Sequence, residues 1–163
     1  MSMRMQTGYA LDEPGIVPLI PALARLERRL AALGYPLMRF VAGLFLMPHG
    51  AQKLFGWFGG SPAAAAQAFD HMGLHPGNVF ATLAGCVEFF GGLLLALGLL
   101  TRLAAVAVGV LMLVAIFTVH LPNGWFWTDR GIEYPLFWGL MAAGCACRGG
   151  GRLSLDAAIG REL

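Results

Sequence analysis

The residues of this chain best suited to chemistry lie inside apolar runs. His49, Gln52 and Lys53 stand at offsets of three and four within one such run, and Glu88 stands alone in another. On a helix the first three share a face, bringing an imidazole, an amide and an ammonium group together. A carboxyl surrounded by apolar residues must be protonated, hydrogen-bonded or paired, and either His49 or Lys53 could satisfy Glu88. Several roles fit such a set. It could be a polar lock between helices with no chemistry, a pocket for a quinone, sterol, thiol or other small ligand, or part of a transport path. His120 and Trp57 are possible contributors from the outer side.

Other chemistries find less in the sequence. His71 and His75 have the i,i+4 spacing of metal ligands, but Gly73 lies between them and Pro76 follows, so a solvated loop is the simpler reading. Cys86, Cys145 and Cys147 form no disulfide framework, and Cys145-Ala146-Cys147 is not a CxxC pair. On a helix the last two thiols diverge by about 160°. No metal site is expected, and no phosphate-binding glycine loop, HExxH or GxSxG occurs. The basic residues are spread along the chain, which gives nucleic-acid binding no support.

The elements that must position these groups follow from composition. Charged residues are 12% of the 163 and hydrophobic ones 58%, whereas about a quarter of an ordinary soluble domain is charged. A soluble helical bundle would lack the polar surface to cover its apolar runs. The expected fold is all-α, a four-helix transmembrane bundle with an N-terminal amphipathic helix, in contact with the lipid bilayer. Spans are expected over 36–57, 79–100, 103–121 and 132–147. The last, at sixteen residues, is short for a hydrocarbon core of about 30 Å and needs local thinning.

Residues 1–35 read as a tail and interfacial segment, 36–147 as the transmembrane domain and 148–163 as a second tail. Within the first, residues 1–16 look like a loose tail without a secretory cleavage region, so insertion is expected through the spans themselves. Val17 to Leu33 repeats leucines at three and four residues, with Arg25, Arg28 and Arg29 between them. Gly34, Tyr35 and Pro36 are expected to break it before the first span, and Pro48 to bend that span before His49. Arg39 and Lys53 lie near opposite ends of the first span, where long side chains can snorkel. Ser61 and Pro62 are expected to open a short Ala-rich helix, and Thr101-Arg102 to form a tight turn between the second and third spans.

Four spans place both termini and that turn on one side of the membrane. Arg4, Arg25, Arg28, Arg29, Arg39, Arg102, Arg148, Arg152 and Arg161 fall there, against only Lys53 and Arg130 on the other side. This bias predicts a multi-pass membrane protein with both termini cytoplasmic. Trp57, Phe58, Trp125, Phe126 and Trp127 then lie at the outer interface, where an aromatic belt is expected.

The run from His49 through Gly50-Ala51-Gln52-Lys53-Leu54-Phe55-Gly56-Trp57 to Gly60, the run from Glu88-Phe89-Phe90-Gly91-Gly92 to Thr101-Arg102, and the closing Gly151-Arg152-Leu153-Ser154-Leu155-Asp156 together resemble the DoxX family of small bacterial membrane proteins. The resemblance covers residues 36 to 157 and implies a four-helix membrane fold. It also implies an inner-membrane subunit that supports a quinone- or thiol-linked oxidoreductase system, with a quinone as the possible cofactor and an oxidoreductase protein or a second copy as the partner. His49, Gln52, Lys53 and Glu88 are the positions it singles out, and no catalytic role transfers to any of them. A small-solute transporter and a non-catalytic membrane assembly protein are the alternatives.

Overall fold

The computed structural model describes residues 20–161. The tail over 1–16 and the start of the amphipathic segment at Val17 lie outside the described residues. Every regular element among the described residues is helical. Helix α1 runs Ala24–Phe55 and α2 runs Pro62–His71. Helix α3 spans Gly77–Leu97 and α4 spans Thr101–Asn123, each interrupted by a π turn, at Val87–Gly91 and Ile116–His120 respectively. Helix α5 is Glu133–Arg148, and a short α6, Leu155–Ile159, lies in the C-terminal tail.

Among the described residues three stretches are long and apolar enough to cross a membrane: Leu30–Phe55, Gly77–Leu97 and Thr101–Asn123. Helix α5, at 16 residues, lies antiparallel along α4. The register is visible where Gly109 faces Ala142, Met112 faces Gly139, and Arg102 donates to the carbonyls of Ala146 and Cys147.

The packing has small residues inside and large ones outside. Ala42, Ala51, Ala81, Ala84, Ala96, Ala104 and Ala105 are all buried, while Leu37, Phe45, Leu103, Val110, Phe117 and Leu140 are more than half exposed. Water would not tolerate that distribution over three long helices, but lipid does. Helices in hydrocarbon gain nothing by hiding leucines from it, and they associate where small residues let backbones approach.

A close approach joins α1 to α3. A Cβ built on Gly50 would lie 2.5 Å from the Phe89 nitrogen and 2.6 Å from the Gly85 carbonyl oxygen, and one on Gly92 would lie 2.6 Å from the Gly43 carbonyl oxygen. Gly43 and Gly50 are seven residues apart, as are Gly85 and Gly92, so the two helices meet antiparallel at matched glycines.

Two local readings change and a third holds. The chain does not break at Gly34-Tyr35-Pro36, because α1 continues through both Pro36 and Pro48. Tertiary contacts from Tyr35 and Arg39 hold the turn around Pro36 helical, although proline forfeits one backbone bond there. The turn between the second and third spans is Gly98-Leu99-Leu100, with Gly98 and Leu100 left-handed, and Thr101 already begins α4. Ser61 does cap α2 by accepting from the Ala64 amide, with Pro62 in the first position.

The seam makes a direct demand on volume. Gly50→Ala should destabilise the detergent-solubilised protein by about 1–3 kcal/mol, the usual cost of overpacking. Gly144→Ala, where the added Cβ meets nothing within 4 Å, should change stability by less than about 0.5 kcal/mol. Equilibrium unfolding of the two variants side by side checks the contrast.

Candidate functional site

The seam between α1 and α3 also carries the ionisable groups. Past Gly50, the Lys53 ammonium meets Glu88, the second residue of the π turn in α3, at 2.7 Å from one carboxylate oxygen and 2.9 Å from the other. Glu88 is buried and Lys53 half-buried, with side chains 12% and 24% exposed. Gly85 makes room for this pair, since a Cβ there would press on Leu54 and on the Lys53 side chain. Π turns insert an extra residue into a helix and recur at functional positions.

An ammonium has three donors. Among the described residues Lys53 finds, besides the carboxylate, only the His49 carbonyl at 3.5 Å, the outer limit of a hydrogen bond. Phe55 and Phe89, close in sequence to the two charged residues, meet edge to face at 5.3 Å, and Phe89 and Phe90 do the same at 5.2 Å.

The remaining sequence candidates go elsewhere. The His49 side chain is exposed on the outside of the bundle, and only its carbonyl approaches Lys53. Gln52 donates to the Phe58 carbonyl at 3.3 Å and packs under Gly60, so it fastens the chain leaving α1. Trp57 is 54% exposed, with its ring on Phe55 at 5.0 Å. The His120 Nδ1 lies 2.6 Å from the Arg130 carbonyl, tying the end of α4 to the loop before α5. His71 and His75 are exposed; His75 pairs with Asp70, whose carboxylate also accepts from the Gly77 amide at 2.7 Å and so caps α3. That amide bond, followed by the His75 contact, holds the Asp70 carboxyl below its ordinary value of 3.8. Among the described residues no group of three or more His, Cys, Asp or Glu could hold a metal ion. Cys145 is buried and Cys147 exposed, as their angular separation requires.

A second polar cluster, at the opposite end of the α1–α3 seam, involves two residues that sequence reasoning had not marked as a site. Arg39 is 2% exposed and donates to the Leu95 carbonyl, to the Ala96 carbonyl at 3.0 Å and to the Leu153 carbonyl at 2.8 Å. It therefore closes the C-terminal turn of α3, where helical donors run out, and ties it to the tail. Gly98 is required there, since a Cβ would fall on the Arg39 guanidinium and on Ser154.

Asp156 closes the next helix from the same tail. Its carboxylate accepts from the Leu100 amide at 2.8 Å, the Thr101 amide at 3.0 Å and the Thr101 hydroxyl at 2.7 Å, which satisfies the free donors that open α4. Its own amide donates to the Gly98 carbonyl. The sequence signal for this is the closing Gly151-Arg152-Leu153-Ser154-Leu155-Asp156 run, and its role in the structure is helix capping.

Helices with large apolar side chains outside, small residues inside and an ion pair between two candidate spans define a polytopic helical membrane protein. Residues 34–121, more than half of the chain, match the DoxX family, and the protein belongs to it. No curated protein and no solved structure matches the chain.

Asp156 gives a pH signature. Burial raises its pKa, but the Thr101 amide and hydroxyl and the Leu100 amide outweigh that, leaving it below the ordinary 3.8. A carboxyl depressed in the folded state contributes stability above 3.8 and loses it as the pH falls through the folded value. Asp156→Asn should cost about 1–2 kcal/mol at neutral pH. The gap between wild type and variant should shrink as unfolding is measured at progressively lower pH below 3.8.

Proposed function

We propose that this protein is an inner-membrane subunit supporting a quinone- or thiol-linked oxidoreductase system, with Lys53 and Glu88 as its intramembrane polar site. The single observation behind this reading is the pairing of these two groups inside apolar helices, at 2.7 Å, with the lysine still partly exposed. A charged pair in hydrocarbon is costly unless it serves packing or function.

The residues suit an aromatic, carbonyl-bearing ligand such as a quinone. Lys53 retains donor capacity beyond the carboxylate, Glu88 is a proton acceptor, and Phe55 and Phe89 offer apolar ring surfaces. The redox chemistry would come from the bound quinone and a partner enzyme. This chain would contribute binding and orientation through the Lys53–Glu88 pair.

In this reading α5 is the fourth span and both termini are cytoplasmic. The antiparallel run of α5 along α4 supports the fourth crossing, and the distribution of nine arginines against Lys53 and Arg130 supports the orientation.

One observation favours a second reading. Gly50, Gly85 and Gly92 bring the α1 and α3 backbones into contact on both sides of Glu88, as a pair serving only to lock two helices of an assembly protein would require.

Purification from native membranes in mild detergent, followed by mass spectrometry of retained quinones and proteins, separates the two. The proposed function predicts a retained quinone or an oxidoreductase partner, reduced at least about tenfold in the Lys53→Met/Glu88→Gln double variant, which removes both charges without leaving one unpaired. A wild-type protein that retains neither would overturn it. Reduced abundance as the sole effect of the double variant would support the lock.

A further inference from the structure

Two clefts meet where the C-terminal tail lies against α1 and α3. The larger, about 790 Å³, is walled by Leu33, Leu37 and Phe40 of α1, Leu97 of α3, and Leu153 and Leu155 of the tail. The smaller, about 350 Å³, is lined by Arg148, Arg152 and Arg161. Arg152, Ser154 and Ala157 border both, so the apolar trough opens directly into the basic cleft.

The charges in the smaller cleft are unevenly matched. Asp156 is its one carboxylate among the described residues, and its oxygens are already engaged by Leu100 and Thr101. Arg148 lies over the Tyr35 ring at 4.5 Å, a contact that fixes the guanidinium without neutralising it. Arg152 is exposed and has no ion pair with any described residue.

The trough continues onto a longer apolar stripe. Leu26, Leu30, Leu33 and Leu37 follow one another at three and four residues along α1, and all are more than half exposed. In a helix entering a membrane that stripe lies among acyl chains.

From this juxtaposition we infer that the junction of α1, α3 and the tail is a binding site for one anionic glycerophospholipid, its phosphate in the Arg148–Arg152 cleft and an acyl chain along Leu33, Leu37 and Leu97. The ligand must be both anionic and long-chained. A neutral lipid would leave the arginines without a counter-charge, and a free phosphate would leave the trough unfilled. Basic pockets between helices at the membrane surface recognise anionic head groups in this way. A lipid held there would bridge α1 to the tail segment that carries Asp156. The site therefore bears on the capping of α3 and α4 and is separate from the Lys53–Glu88 pair.

The test uses the full-length protein in neutral detergent, titrated with dioleoyl phosphatidylglycerol, dioleoyl phosphatidylcholine, dihexanoyl phosphatidylglycerol or inorganic phosphate. Native mass spectrometry counts the bound molecules and thermal unfolding reports the shift. One dioleoyl phosphatidylglycerol should bind saturably and raise the melting temperature, at least about tenfold more tightly than the phosphatidylcholine or the short-chain lipid. Arg152→Gln, at an exposed position, should keep the fold and weaken phosphatidylglycerol binding severalfold, and Arg148→Gln/Arg152→Gln by at least about tenfold. Equal binding of the two dioleoyl lipids would overturn the proposal, as would binding unchanged in the arginine variants. Inorganic phosphate competing as well as the long-chain lipid would reduce the site to a simple anion cleft and overturn it too.

Discussion

The structure depends on the approach of two backbones. In lipid, α1 and α3 gain no hydrophobic energy by touching, so contact must come from packing and from polar groups that find partners only across the seam. The glycine pairs supply the packing by letting the Gly50 region lie against the Gly85 carbonyl and the Phe89 amide. The same register delivers both cross-seam charges. One turn beyond Gly50, Lys53 meets Glu88, and one turn before Gly43, Arg39 meets the last carbonyls of α3. A larger residue at any of these glycines would separate the helices and strand both charges together.

The other ends of the helices are closed by the tail. A helix in an apolar medium cannot leave its terminal amides and carbonyls to water, so something must reach them. Arg39 does this for the end of α3 and is tied to the tail through the Leu153 carbonyl, and Asp156, from the tail itself, does it for the start of α4. The α3–α4 turn is thereby held from both sides, by an arginine from the first span and a carboxylate from the last segment of the chain. The tail is a structural part of the bundle although it lies outside the spans.

Much of this was legible before any coordinates. Low charge and long apolar runs define a helical membrane protein, because no other medium accommodates them, and the lone Glu88 demands a partner that Lys53 could supply. The rest depends on which way side chains turn, and spacing alone does not decide that. His49 and Lys53 share a broad helical face, yet the edge of α3 admits only Lys53 and leaves the imidazole outside. Arg39 resembles a snorkelling residue near a helix end, but its guanidinium is drawn inward by carbonyls that belong to another helix. Thr101 and Arg102 separate two long apolar runs and read as a turn, whereas Asp156, 55 residues from Thr101, makes Thr101 the first residue of α4. In each case the deciding partner is distant in sequence and therefore invisible to local pattern.

The central claim is that Lys53 and Glu88 act as one unit across the α1–α3 seam. A double-mutant cycle tests it most directly, using unfolding free energies of wild type, Lys53→Met, Glu88→Gln and the double variant in the same lipid-like medium. Each single change should be costlier than the double change requires, with a coupling of about 1–3 kcal/mol between the two positions. Additive effects, with coupling near zero, would mean that the two side chains do not depend on each other, and the account of the seam would be contradicted.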